Sequence, residues 1–188
     1  MFIVIEGIDG SGKTSVITCI EAFLRSKGRK VVTTREPTGG SIGKMVAEMD
    51  DLTPETEALL FTADRAVHTE EIRKWISEGR TVVSDRYYTS TLAYQSAAGM
   101  DMEWLEAINS KIIREPDITI VLDMDPEESL RRVEERGEKS RFEKLEYQKK
   151  VRDAYLRIAE SKGYSIVDAS QSREKVSEDV IRIIEGRL

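Results

Sequence analysis

The sequence predicts an α/β fold, a parallel sheet covered by helices on both faces, and three observations predict it. Five short apolar runs, at residues 2–5, 30–34, 81–84, 118–122 and 165–167, are rich in Val, Ile and Thr. They are nearly continuous rather than alternating, as in strands buried on both faces. Helical patterns separate them, so successive strands are joined by crossovers. The length of 188 residues suits one domain, 1–188, whose core needs no disulfide or zinc staple.

Each helix carries its own punctuation. Val16, Ile17, Ile20, Phe23 and Leu24 form an apolar stripe that Gly28 closes. Thr53-Pro54-Glu55 is a cap, a proline at the first helical position and an acid in the first turn, and the helix it opens can run to Gly79. Asp125-Pro126-Glu127-Glu128 repeats the start signal. Val151, Ala154, Tyr155 and Ile158 form a further stripe ending at Gly163, and Val176, Val180 and Ile184 form the last. No linker, repeat or low-complexity tract interrupts the series. Loops near 7–12, 35–43 and 85–90 follow strand ends, where open α/β sheets bind ligands, and a polar stretch, 136–144, lies between two helices.

Composition narrows the chemistry. Cys19 and His68 are the single residues of their kinds, so neither an intrachain disulfide nor a Cys/His zinc site is available, and a metal would need oxygen ligands. The formal net charge of -6 disfavours a sequence-independent nucleic-acid binder. No apolar run approaches the roughly 20 residues of a membrane helix, and the first one stops at Glu6, so neither a membrane span nor a signal peptide is expected. A cytoplasmic enzyme is the default.

Residues 7–14 read Gly7-Ile8-Asp9-Gly10-Ser11-Gly12-Lys13-Thr14, between a strand and a helix. This spacing makes a phosphate cradle: glycines let backbone N–H groups converge on phosphate oxygens, and the helix adds its positive end. Lys13 is expected to reach the β- and γ-phosphates of ATP, and Thr14 to offer its hydroxyl to Mg²⁺. Three further clusters refine the reading. Asp85 and Arg86 end the third strand, an acid that can serve Mg²⁺ beside a phosphate-binding fork; the alternative is a solvated ion pair. Arg35, Glu36 and Pro37 end the second strand on the same edge; the alternative is a charged turn. Phe61, Asp64, Arg65 and His68 share one helix face. There, an aromatic plate and an arginine suit a nucleobase, unless Phe61 is core and the pair decorative.

Arg131, Arg132, Arg136, Lys139, Arg141, Lys144, Lys149 and Lys150 form a local basic cluster that Gly137 interrupts. It suits a cationic lid over transferring phosphate; the alternative is a salt-bridged solvent face. The chain has no N-K-x-D guanine reader. Two sets of phosphate arginines suggest two phosphate-bearing ligands, the design of a nucleoside monophosphate kinase.

The segments FIVIEGIDGSGKT (2–14), TREPTGG (34–40), LLFTADRAVH (59–68), SDRYYTSTLAYQ (84–95), PDITIVLD (116–123) and ERGEKSRFE (135–143) resemble the thymidylate kinase family along nearly the whole chain. The resemblance implies a P-loop NTPase three-layer sandwich with a five-stranded parallel sheet and a short lid. It also implies ATP- and Mg²⁺-dependent phosphorylation of dTMP, in a cytoplasmic homodimer. By family role, Phe61 is similar to the plate under thymine and Arg65 to the donor to its carbonyl. Arg35 and Arg86 match the grip on the dTMP phosphate, and Asp9 the acid near the sugar 3′-hydroxyl. Thr91 and Gln95 match base-edge contacts, and Tyr94 the ring that crowds C2′. Gly10 stands where some family members carry a catalytic arginine, so the lid arginines Arg136 and Arg141 take that role, the choice between them open because Ser140 replaces an aspartate usual in such lids. Arg132, Ser170 and Gln171 are candidates for adenine. Two other readings stand beside this one: a deoxynucleoside kinase with Glu36 as general base, and a non-catalytic nucleotide sensor.

Overall fold

The computed structural model describes residues 1–134 and 145–188. The strands are β1 (Phe2–Glu6), β2 (Val31–Arg35), β3 (Thr81–Asp85), β4 (Ile118–Asp123) and β5 (Ser165–Asp168). The helices among the described residues are α1 (Lys13–Ser26), α2 (Ser41–Glu48), α3 (Pro54–Ser77), α4 (Tyr88–Ala97), α5 (Met102–Ser110), α6 (Pro126–Glu134), α7 (Leu145–Lys162) and α8 (Arg173–Glu185). All strand pairs are parallel, in the order β2-β3-β1-β4-β5.

The continuous apolar runs follow from this three-layer arrangement. In β1, Phe2 and Val4 face a core shared with α3, α4, α5 and α7. Ile3 and Ile5 face a second core shared with α1 and α8. A central strand with an apolar layer on each side has no polar face to alternate with. The rule holds for β1, β3 and β4 but relaxes at the sheet margins: β2 and β5 are half exposed.

Three helices differ from the sequence-based expectation. The loop anticipated over 35–43 gives way to α2 at Ser41, and the one over 85–90 gives way to α4 at Tyr88. In α2, a Cβ at Gly43 would collide with the Thr38 backbone, so glycine permits close packing there. In α4, seven of ten residues are buried, which erases the amphipathic period. The third, α5, has no counterpart among the stripes read from the sequence, and it packs on α3 and α4.

The chain leaves central β1 for the β2 edge, returns through β3, and then crosses to β4 on the other side of β1. The crevice outside the strand ends at this switch is the expected ligand site, and the 7–12 loop occupies it. Gly7 there has φ 139, and a Cβ would stand 2.6 Å from the Leu122 carbonyl oxygen. Gly12 has φ 92 but open space where a Cβ would go. Gly7→Ala is therefore expected to cost at least about 2 kcal/mol, strain and overlap together, and Gly12→Ala only the backbone strain. Urea unfolding of the two variants checks the order, and equal losses would contradict it.

Candidate active site

Lys13, the first residue of α1, is 7% exposed. Its Nζ donates to the carbonyls of Gly7 (3.1 Å) and Ile8 (2.9 Å), across the curl of the cradle. Burial, then the nearby Arg86 cation, lowers its ammonium to about 8. An ammonium buried against carbonyls has much to gain from a phosphate. The cradle opens on a cavity of about 710 Å³ that Thr14, Arg35, Asp85 and Arg86 also line. Ser129 of α6 donates from its hydroxyl to the Asp9 carbonyl, pinning the loop from outside.

Arg86 stands where this cavity adjoins a second, of about 220 Å³; Asp9, Glu36, Pro37 and Arg86 line both. Its Nη2 meets Asp9 Oδ1 at 2.6 Å and donates to the Tyr94 hydroxyl at 3.2 Å. Its Nη1 donates to Ser90 Oγ at 3.0 Å and the Tyr155 hydroxyl at 3.2 Å. The residue has φ 70, rare for a side-chain-bearing residue and costing on the order of 1–3 kcal/mol. Its neighbours dictate that conformation: its N–H donates to the Ile5 carbonyl at 3.0 Å, and its own carbonyl accepts from Ser84 Oγ at 2.7 Å. By contrast, Arg35 is exposed at the end of edge strand β2 and makes no ion pair or side-chain hydrogen bond among the described residues.

The smaller cavity is built on α3 and α4. Arg65 is 1% exposed. Its Nε donates to Glu36 Oε2 (2.9 Å), Nη1 to Asn109 Oδ1 (2.7 Å) and Nη2 to Thr91 Oγ1 (3.0 Å). Glu36 is therefore no charged turn; it is buried between Arg65 and His68, whose Nδ1 lies 2.9 Å away. His68 Nε2 meets Thr34 Oγ1 at 2.8 Å. Asp64 is not decorative either: it accepts from the Thr38 N–H (2.7 Å) and hydroxyl (2.6 Å), fixing the loop after β2. Phe61, Thr91, Tyr94 and Gln95 line the cavity with Arg65. Burial pushes the Tyr94 phenol up to about 12.

Arg65 has five N–H groups and Nη1 uses one of its two, so a donor remains for a ligand. Thr91 Oγ1 accepts from Arg65, which leaves its O–H to donate. Gln95 donates from Nε2 to Glu57 Oε2 at 3.1 Å, while its Oε1 is buried without a partner. Three residues lining the cavity thus carry spare hydrogen-bonding capacity, two donors and one acceptor.

Among the metal candidates, Asp85 Oδ1 is buried and lacks a hydrogen-bond partner, on the same cavity as Thr14. Oxygen donors of this kind fit Mg²⁺. Arg132 and Gln171 share a groove with Ser11, Gly12 and Arg173 on the far side of the cradle; Ser170 instead bonds Asp168 at 2.6 Å and is not on that groove. Arg136 and Arg141, and the whole of the lid anticipated over 136–144, lie outside the described residues.

Sequence reasoning missed Glu6, which there only ended an apolar run. Glu6 is fully buried at the end of β1. It accepts from the Tyr87 N–H (2.9 Å), Ser90 Oγ (2.7 Å) and the Tyr155 hydroxyl (3.0 Å). An acid closing a central strand was the available signal. Removing it leaves three buried donors without this acceptor, so Glu6→Ala is expected to cost about 3–5 kcal/mol in denaturant unfolding. Burial also raises the Glu6 carboxyl above its ordinary 4.5. A raised acid binds its proton more readily folded than unfolded, so its contribution to stability falls as pH rises through the folded value. The stability of the wild type relative to Glu6→Gln should decline as pH rises above the ordinary carboxyl value of 4.5; a rising difference would contradict this.

Comparison with known proteins agrees with this geometry. A probable thymidylate kinase of Archaeoglobus fulgidus is 44% identical over 190 residues, covering 100% of this chain and 96% of that protein. Those of Pyrobaculum calidifontis and Pyrococcus horikoshii are each 42% identical, covering 100% of this chain and 97% of each relative. The thymidylate kinase family profile matches residues 5–180, and with a parallel sheet, a phosphate cradle and a polar cavity meeting at Arg86, the chain belongs to the thymidylate kinase family.

Proposed function

We propose that this chain transfers the γ-phosphate of ATP to dTMP, giving dTDP and ADP, in the supply of DNA precursors. The observation that carries the reading is the pair of cavities joined at Arg86. The cradle cavity takes the triphosphate, the smaller one takes a nucleobase, and the guanidinium stands between them. Thymine presents two carbonyl acceptors and one N–H donor. The donors on Arg65 and Thr91 and the acceptor on Gln95 are the complementary set. The ring of Phe61 supplies an apolar plate.

Phosphoryl transfer is mostly positioning and charge stabilisation. An oxygen of the acceptor phosphate attacks the γ-phosphorus as the bond to the β-bridging oxygen breaks, and ADP leaves. Arg86, held by Asp9, Tyr94, Ser90 and Tyr155, orients the acceptor phosphate. Arg35 has its whole fork available for the same anion. Lys13 exchanges its carbonyl partners for β- and γ-phosphate oxygens. Asp85 and Thr14 would hold Mg²⁺, which when bound neutralises charge on those oxygens. Arg136 or Arg141 completes the charge stabilisation by family resemblance. The roles proposed for Asp9 and Tyr94 toward the sugar are supported by their place on the wall common to Arg86.

The same reading includes a single catalytic domain acting as a cytoplasmic homodimer. It is supported by Met45 and Met49 at α2 and Leu59 and Val67 of α3, exposed apolar side chains at neighbouring helices. No helix among the described residues is long and apolar enough to cross a membrane.

ADP release measured with dTMP, dUMP, dCMP, dGMP and thymidine tests the proposal. The expected result is turnover with dTMP above the other acceptors. Turnover with thymidine but not dTMP would favour the deoxynucleoside kinase. ATP binding without acceptor-dependent turnover would favour the sensor.

A further inference from the structure

We propose that Glu57 is a positioning residue that sets the base preference of the smaller cavity by fixing the amide of Gln95. The inference rests on the acceptor reading just given. Glu57 lies in the first turn of α3 and Gln95 in the last turns of α4; they are 6% and 1% exposed. A carboxylate only accepts hydrogen bonds, whereas an amide donates at one end and accepts at the other. Glu57 Oε2, 3.1 Å from the Gln95 amide nitrogen, is therefore satisfied only by the Nε2 end. That choice decides where the other end goes. Gln95 lines the cavity, and its Oε1 is buried without a partner.

A buried acceptor of this kind gains from a ligand N–H and loses against a second acceptor. Thymine and uracil carry an N–H at N3; cytosine carries a bare acceptor there. The orientation of one amide thus discriminates at N3. Glu57 is not among the residues lining the cavity, so it acts through Gln95 rather than on the base. Replacing the carboxylate by an amide removes the rule: two facing amides can pair with either end of Gln95 toward the cavity.

The test is kcat/KM of the full-length enzyme for dTMP, dUMP and dCMP, in wild type and Glu57→Gln. The dTMP/dCMP ratio is expected to fall about tenfold in Glu57→Gln, through KM, with kcat for dTMP changed less than about twofold. The dTMP/dUMP ratio is expected to stay constant, because uracil presents the same N3–H. A general loosening of the fold would move all three acceptors together. The exchange variant Glu57→Gln/Gln95→Glu places an acceptor-only group at position 95 and is expected to restore the preference over dCMP. An unchanged dTMP/dCMP ratio in Glu57→Gln, or a parallel loss for all three nucleotides, overturns the proposal. Should Glu57→Gln not fold, the exchange variant decides: wild-type preference supports the proposal and a lost preference overturns it. A wild type that phosphorylates no pyrimidine monophosphate overturns the acceptor reading instead.

Discussion

The structure depends on one buried carboxylate. Glu6 ends the central strand with no water around it, and a charge in that position persists only when its oxygens are filled by donors. The donors come from distant parts of the chain: the backbone of Tyr87 and the hydroxyl of Ser90 at the start of α4, and the hydroxyl of Tyr155 in α7. Each also bears on Arg86. Ser90 and Tyr155 are hydrogen-bonded to its guanidinium, and Tyr87 follows it in the chain. The carboxylate that locks β1 to two helices therefore also holds an arginine in a conformation it would not adopt alone. Apolar packing could not do this, because it has no direction.

A second buried carboxylate repeats the device two strands away, at the sheet edge. Glu36 follows β2 and gathers Arg65 and His68 from α3, and Arg65 extends the contact to Thr91 of α4 and Asn109 of α5. Three helices that share no apolar period are thus registered by hydrogen bonds. Breaking either cluster strands a buried charge, which costs more than the intact cluster contributes. Such clusters fix geometry more than they add stability. That suits phosphoryl transfer, where placement of the reacting groups supplies much of the rate.

This division of labour explains what was legible in the sequence. The strands, the cradle and the helix face from Phe61 to His68 could be read because their information is local: apolar runs, glycine spacing, a three-and-four period. Glu6 and Tyr155 could not, since 149 residues separate them and each looks ordinary in its own segment, one a strand end and the other a core position. The Asp9–Arg86 pair, 77 residues apart, is of the same kind. In α4 the difficulty is sharper. Its buried polar side chains, Thr89, Thr91 and Gln95, mimic a loop in composition; partners in α3 make Thr91 and Gln95 core.

The charge balance acquires a meaning it lacked in the sequence. A net charge of -6 looks ill suited to an anionic ligand. Yet the acids near the site are spent on the cations: Asp9 on Arg86, and Glu36 on Arg65. Pairing does not silence an arginine, because a guanidinium has five donors and a carboxylate occupies two at most. It instead converts a mobile cation into a placed one: both Nη atoms of Arg86 are tied to neighbouring side chains, and its charge stays where the two cavities meet. Arg35 is the complement, an exposed cation at the sheet edge with no ion pair among the described residues; on the proposed reading it suits drawing in an anion that the paired arginines then orient. On that reading attraction and positioning fall to different residues, and the overall charge of the chain bears on neither.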